Sequence, residues 1–146
     1  MSYNYTQEDK VTFSLYIATL SISSYATNEV FGLSSATGNM SLTVNSGVIT
    51  LPAGRYMCQA FPYVDVATTS DVIKFTWQKS ESGTYSAVGL EGQIQVVGDA
   101  VGERDSAIAV IDEPTSTDIR LILSDFSSTG TPTDEGGYVK IWKEVR

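Results

Sequence analysis

The sequence predicts an all-β protein, a jelly-roll β-sandwich, and three observations of pattern lead to it. Apolar residues recur at alternate positions in short runs; Gly, Pro, Asn and Asp separate the runs; and Val and Ile dominate the apolar fraction. Alternation places successive side chains on opposite faces of a strand, and β-branched residues are stiff in a way that favours strands over helices. No stretch offers three helical turns of apolar period, and no repeat of solenoid or propeller length is present. At 146 residues, the chain can bury a core without disulfides or metals.

Residues 1–10 are polar apart from Tyr3 and Tyr5 and include the acidic pair Glu8-Asp9. They read as an N-terminal arm, and its two tyrosines, having no core to fill, are expected to anchor it on a neighbouring protein. Residues 11–146 form the single jelly-roll domain. Its first strand sets Val11, Phe13, Leu15 and Ile17 on one side and Thr12, Ser14 and Tyr16 on the other, the period of a half-buried strand. Residues 21–39 are rich in Ser, Thr, Asn and Gly and read as a long excursion with one short strand.

Strands then follow at 40–44, 48–51, 54–64, 72–78, 86–97, 106–112, 118–123 and 138–145. Reversals are expected at Asn45-Ser46-Gly47, Pro52-Ala53-Gly54, Glu81-Ser82-Gly83 and Asp134-Glu135-Gly136-Gly137, where Gly supplies positive φ and Pro a fixed φ. In the last strand Tyr138, Lys140, Trp142 and Glu144 share one face, and Val139, Ile141, Lys143 and Val145 share the other. Both faces carry apolar bulk at its centre, and a lone sandwich covers only one of them, so the other calls for a subunit interface.

Composition narrows the function. The chain has no His, which removes the usual general base and the commonest metal ligand. A net charge of -8 disfavours nucleic acid and anionic lipid as partners. A single cysteine, Cys58, allows no internal disulfide and no Cys-based zinc site, and its strand-like flanks make it a buried core thiol. No run approaches the roughly 20 apolar residues of a membrane span, and no targeting segment is evident, so synthesis in a host cytoplasm is expected.

The segment Asn45-Ser46-Gly47-Val48-Ile49-Thr50-Leu51-Pro52-Ala53-Gly54-Arg55-Tyr56-Met57-Cys58-Gln59-Ala60 resembles the opening strands of the complement C1q and tumour-necrosis-factor-like jelly rolls. A turn there leads to an apolar strand, Pro-x-Gly and an aromatic. The segment Gly137-Tyr138-Val139-Lys140-Ile141-Trp142-Lys143 resembles the closing strand of that class in bacteriophage virion proteins. The two bracket residues 45–146. The resemblance implies a compact homotrimer, with Tyr56, Tyr138 and Trp142 at the trimer interface and the final strands near a threefold axis. Without a collagen-like stem or a coiled-coil heptad segment, it implies a standalone decoration or cement protein rather than a long fibre.

Each candidate chemistry has a plainer use. The pairs Asp112-Glu113 and Asp134-Glu135 supply carboxylates of the kind glycoside hydrolysis uses, but adjacent strand residues face opposite ways, and solvated turn acids account for them. Asp99-Ala100-Val101-Gly102-Glu103-Arg104-Asp105 holds three carboxylates near the oxygen density calcium needs, yet lacks the order of a calcium loop and includes an opposing Arg, so it reads as an acidic turn. Trp77 and Trp142 could stack a sugar, though their alternating neighbours favour core or interface packing.

The expectation is therefore a non-enzymatic virion structural protein with no catalytic residue, cofactor or metal. It would sit on the capsid surface and stabilise the shell by binding the major capsid protein or another virion protein through Tyr3 and Tyr5 of the arm. The alternative is a receptor- or carbohydrate-binding domain of a head fibre or tail fibre, recognising its target through residues 21–39 and 124–137. A secreted signalling ligand is set aside for want of a secretory signal.

Overall fold

The computed structural model describes residues 12–22, 25–66, 72–97, 100–127 and 132–145, and among them the fold is all-β, as the alternation and turn chemistry require. The strands are β1 (Thr12–Ser21), β2 (Gly32–Gly38), β3 (Thr43–Asn45), β4 (Val48–Leu51), β5 (Gly54–Val66), β6 (Val72–Glu81), β7 (Thr84–Val97), β8 (Ala100–Arg104), β9 (Ala107–Glu113), β10 (Thr117–Ser127) and β11 (Pro132–Val145). One layer of the sandwich runs β2-β1-β11-β5-β9 and the other β3-β4-β10-β6-β7-β8, with every pairing antiparallel. The layers meet through one residue pair, Leu90 of β7 with Ile108 of β9.

That junction is made by a bulge. Phe75 pairs with Gly92 and Trp77 with Val88, so Gly89, Leu90 and Glu91 together stand opposite Thr76. Gly89 has φ 79°, and a Cβ there would lie 2.1 Å from the Ile108 carbonyl oxygen, so only glycine lets β7 come this close to β9.

The core is asymmetric between layers. Following the register across β1, β11, β5 and β9, one inward row reads Ala18, Val139, Ala60, Ala107, and the next reads Tyr16, Ile141, Cys58, Ala109. All of these residues are buried. Small side chains thus line the centre of the first layer, and the bulk comes from the second: Phe75 and Trp77 of β6, Ile49 and Leu51 of β4, and Ile119, Leu121 and Leu123 of β10. Large against small is how facing sheets reach close packing. Trp77 reaches far enough across the gap to donate from its indole Nε1 to the Ala107 carbonyl at 3.3 Å.

The strands expected at 48–51, 54–64, 72–78, 86–97, 106–112 and 118–123 are present, several of them longer by a few residues. Residues 40–44 are displaced: the strand there is the short β3. The excursion 21–39 contributes β2, and a further segment runs beside β10, where Asn28 N–H donates to the Leu123 carbonyl and Phe31 N–H to the Leu121 carbonyl.

Three expectations are corrected. In β1 the core side is Tyr16, Ala18 and Leu20, while Phe13 is 60% exposed, because the side carrying Phe13, Leu15 and Ile17 continues an apolar face on the outside of the sheet. The acidic stretch from Asp99 is not a simple turn, since residues 100–104 pair with β7 as β8. Asp134-Glu135-Gly136-Gly137 is no reversal either: β11 runs through it, with Asp134 opposite Asp65 and Glu135 opposite Val64. The glycine signal there has another cause. Gly137 has φ 100°, and a Cβ would fall 2.1 Å from the Phe61 carbonyl oxygen of β5.

Gly137→Ala should therefore destabilise the fold by about 1–3 kcal/mol, the usual range for a strained backbone position. Gly136→Ala, where a Cβ meets nothing within 4 Å, should change stability by no more than about 0.5 kcal/mol. Urea midpoints of the two variants check this, and equal losses would refute the close approach.

Candidate functional site

The outward side chains of the β1-β11-β5-β9 layer alternate with the inward rows already described, so the same register that makes the inside small determines what stands outside. One outward row reads Leu15, Trp142, Met57, Val110. The next is Ile17, Lys140, Gln59, Ile108, extended by Leu90 of the bulge. A third reads Thr19, Tyr138, Phe61, the two aromatic rings stacked at 4.9 Å between centroids. Met57 is 46% exposed, Val110 50% and Leu90 69%. A sheet face carrying this much apolar surface to solvent marks an interaction site.

Two recesses open along this face. One, of about 300 Å³, is lined by Phe13, Arg55, Tyr56, Met57, Val110, Trp142 and Glu144. The other, of about 450 Å³, lies at the opposite end of the strands among Phe61, Tyr63, Ile94, Asp105, Ser106 and Tyr138.

Of the expected interface residues, Tyr138 and Trp142 stand on the outward face. Tyr56 does not, and this is a correction: its side chain is 2% exposed, on the inward face of β5 beside Cys58 and Ala60. The tyrosine hydroxyl donates to the Pro52 carbonyl at 2.8 Å, which gives the buried ring a partner for its polar end and ties β5 to the turn before it. Lys143 stands 5.4 Å from the ring centroid. Tyr3 and Tyr5 lie outside the described residues.

Sequence reasoning missed Phe13, Leu15, Met57, Val110 and Leu90 as members of this face. The signal was present in β1 and β5, where apolar residues occupy both sides of the strand, but one strand alone does not say which side is core.

The other candidates resolve as follows. Trp77 is core. Asp112 and Glu113 point to opposite faces, as adjacent strand residues must; Asp112 is exposed, and Glu113 accepts from Lys79, which also lies 3.2 Å from Glu81. Hydrogen bonds to Glu113 and then Glu81 hold the Lys79 ammonium above its ordinary pKa. Burial raises the Tyr16 hydroxyl and pushes the Cys58 thiol far above the usual thiol range. A thiol that stays protonated is a poor nucleophile. Among the described residues, no three Asp, Glu or Cys side chains converge as a metal site would require. Asp99 lies outside the described residues.

No protein-family model matches the chain, and no curated protein does. Solved structures do. Murine APRIL at pH 5.0 aligns with a TM-score of 0.60 and 12% identity over 90% of this chain and 99% of that one; its form at pH 8.0 aligns with a TM-score of 0.52. Eiger TNF from S. frugiperda aligns at 0.45 and 9% identity, over 91% of this chain and 92% of that one. The chain is an all-β, TNF-like jelly roll.

Two outcomes test the placement of the inward residues. Tyr56→Phe should lower stability by about 1 kcal/mol, the value of one hydrogen bond, and leave the native mass unchanged; a change of mass would return Tyr56 to the interface. Cys58 should resist an aromatic disulfide reagent at pH 8 in the folded protein and react fully in denaturant. Rapid labelling of the native chain would show that the thiol is reachable.

Proposed function

We propose that this protein is a non-enzymatic homotrimer that decorates a bacteriophage capsid, binding the shell surface and stabilising it. The single observation that carries the reading is the outward face of the β1-β11-β5-β9 layer. One apolar row, Leu15, Trp142, Met57 and Val110, is continuous across its four strands, and an isolated domain leaves Met57 and Val110 in water. A closed assembly of identical chains is the usual way to cover such a face. In this reading Trp142 is the central contact and Tyr138 flanks it. The TNF-like fold supports the trimer, and the likeness of the closing strand to phage virion proteins supports the capsid. The function itself is mechanical: a ligand that binds the assembled shell shifts its equilibrium toward assembly. Tyr3 and Tyr5 of the arm are assigned to the shell contact, and the site of action is the virion.

A second reading, carbohydrate recognition at a fibre tip, is favoured by one feature. The recess beside the stacked Phe61 and Tyr138 rings combines aromatic walls with the Asp105 and Ser106 side chains, a composition suited to a pyranose.

Light scattering coupled to size exclusion should give a native mass of about three times 15.8 kDa. Trp142→Asp should reduce it to one chain, and a variant that remains trimeric would remove Trp142 from the contact. Co-sedimentation with capsids stripped of their accessory proteins then tests the partner. Binding to the shell supports decoration; saturable binding to host glycans without shell binding would replace it with the second reading.

A further inference from the structure

The recess of about 450 Å³ falls in the size range of small-ligand clefts, roughly 300–1,000 Å³. Phe61 and Tyr138 are cross-strand neighbours on its wall, and their rings stack at 4.9 Å. Gly137 comes immediately before Tyr138, and the atom it approaches so closely is the Phe61 carbonyl oxygen. A position that only glycine can occupy thus ties β11 to β5 at the root of the two rings. Tyr138 nevertheless keeps 41% of its surface exposed, so the stacked pair is open to a ligand.

Polar groups from different strands flank the pair. Asp105 is exposed, and its backbone is held by Gln93 of β7: its N–H donates to the Gln93 carbonyl at 2.8 Å, and its carbonyl accepts from the Gln93 N–H at 3.3 Å. The residue is anchored, while its carboxylate makes no ion pair or side-chain hydrogen bond among the described residues. The half-buried Ser106 beside it is likewise uncommitted at its hydroxyl. On β11, two residues beyond Tyr138, the Lys140 ammonium lies 5.6 Å from the Tyr138 ring centroid and forms no ion pair among the described residues.

This set selects by charge. A carboxylate only accepts hydrogen bonds and an ammonium only donates them. Asp105 opposes an anion and Lys140 opposes a cation, whereas a hydroxyl donates to the one and accepts from the other. A pyranose carries hydroxyls around its edge and C–H groups on a ring face that packs on an aromatic ring. We infer that this recess binds a neutral pyranose, its ring against the Phe61–Tyr138 pair and its hydroxyls on the Asp105 carboxylate, the Ser106 hydroxyl and the Lys140 ammonium. The inference rests on the carbohydrate reading, to which it adds the class of sugar and the groups that hold it, and it needs no second copy of the chain.

The test is saturation-transfer NMR on the full chain with the methyl glycosides of glucose, galactose, mannose and N-acetylglucosamine. Glucuronate and glucosamine serve as the anionic and cationic comparators, and light scattering gives the native mass of each variant. The expected result is saturable transfer to at least one neutral glycoside, strongest at its ring C–H protons, with weaker binding of both charged sugars. Asp105→Ala, at an exposed position, should weaken binding about tenfold, the value of one hydrogen bond to a charged group. Lys140→Met should weaken it as well. Tyr138→Ala should abolish it, and Tyr138→Phe, which keeps the ring, should retain it. Undiminished binding by Asp105→Ala and Tyr138→Ala would overturn this site and leave the carbohydrate reading standing. Tighter binding of either charged sugar would overturn the neutral class. Absence of transfer to all four glycosides would overturn the site and the carbohydrate reading together.

Discussion

The contact that orders this molecule is the one between a bulky layer and a thin one. Trp77 and Phe75 fill the middle of the sandwich, and they fit because the opposing rows of β1, β11, β5 and β9 are built largely from Ala, Cys and Val. The Trp77 indole bonds to the backbone of Ala107, so the match is fixed in register as well as in volume. A larger residue at Ala60, Cys58 or Ala109 would meet a close-packed neighbour, and overpacking is as disruptive as a void.

The consequence for the thin layer is that, apart from Tyr16 and Tyr56, the aromatic side chains of β1 and β11 and the bulk of the central outward rows point away from the core. In strands of period two, a small inward row alternates with an outward row that is free to be large. Phe13, Leu15, Met57, Val110, Tyr138 and Trp142 occupy those outward positions. The interaction face and the core are therefore two sides of one packing solution. The same register sets Lys140 and Gln59 at the middle of the face, between the Trp142 row and the Tyr138–Phe61 row.

Much of the strand order was legible because turn residues punctuate it. Asn45-Ser46-Gly47 and Pro52-Ala53-Gly54 bound β4, and β4 lies where the alternation put it. Legibility failed where one local signal has two physical causes. Gly137 marks a close approach inside a strand and reads, by itself, like a turn. Along β1 the residues Phe13 to Leu20 are apolar on both sides, and only the partner strands reveal that Tyr16 and Ala18 face the core. Tyr56 was misassigned for the same reason: an aromatic in a strand of a proposed interface does not declare its side until the register with Ile111 and Lys143 is known. The β8 segment carries acids that resemble a turn, although it pairs with β7, the strand just before it.

The burial of Cys58 also has a practical use. It is the only cysteine in the chain and is sealed between the layers, so the folded wild-type protein is already a background without a reactive surface thiol. A cysteine introduced at an exposed position of ordinary backbone, Thr84 at the start of β7 for example, becomes a unique attachment point for a spin label or fluorophore. Distances between copies could then be measured without first engineering out the native thiol, and without disturbing the small-residue rows against which Trp77 is packed.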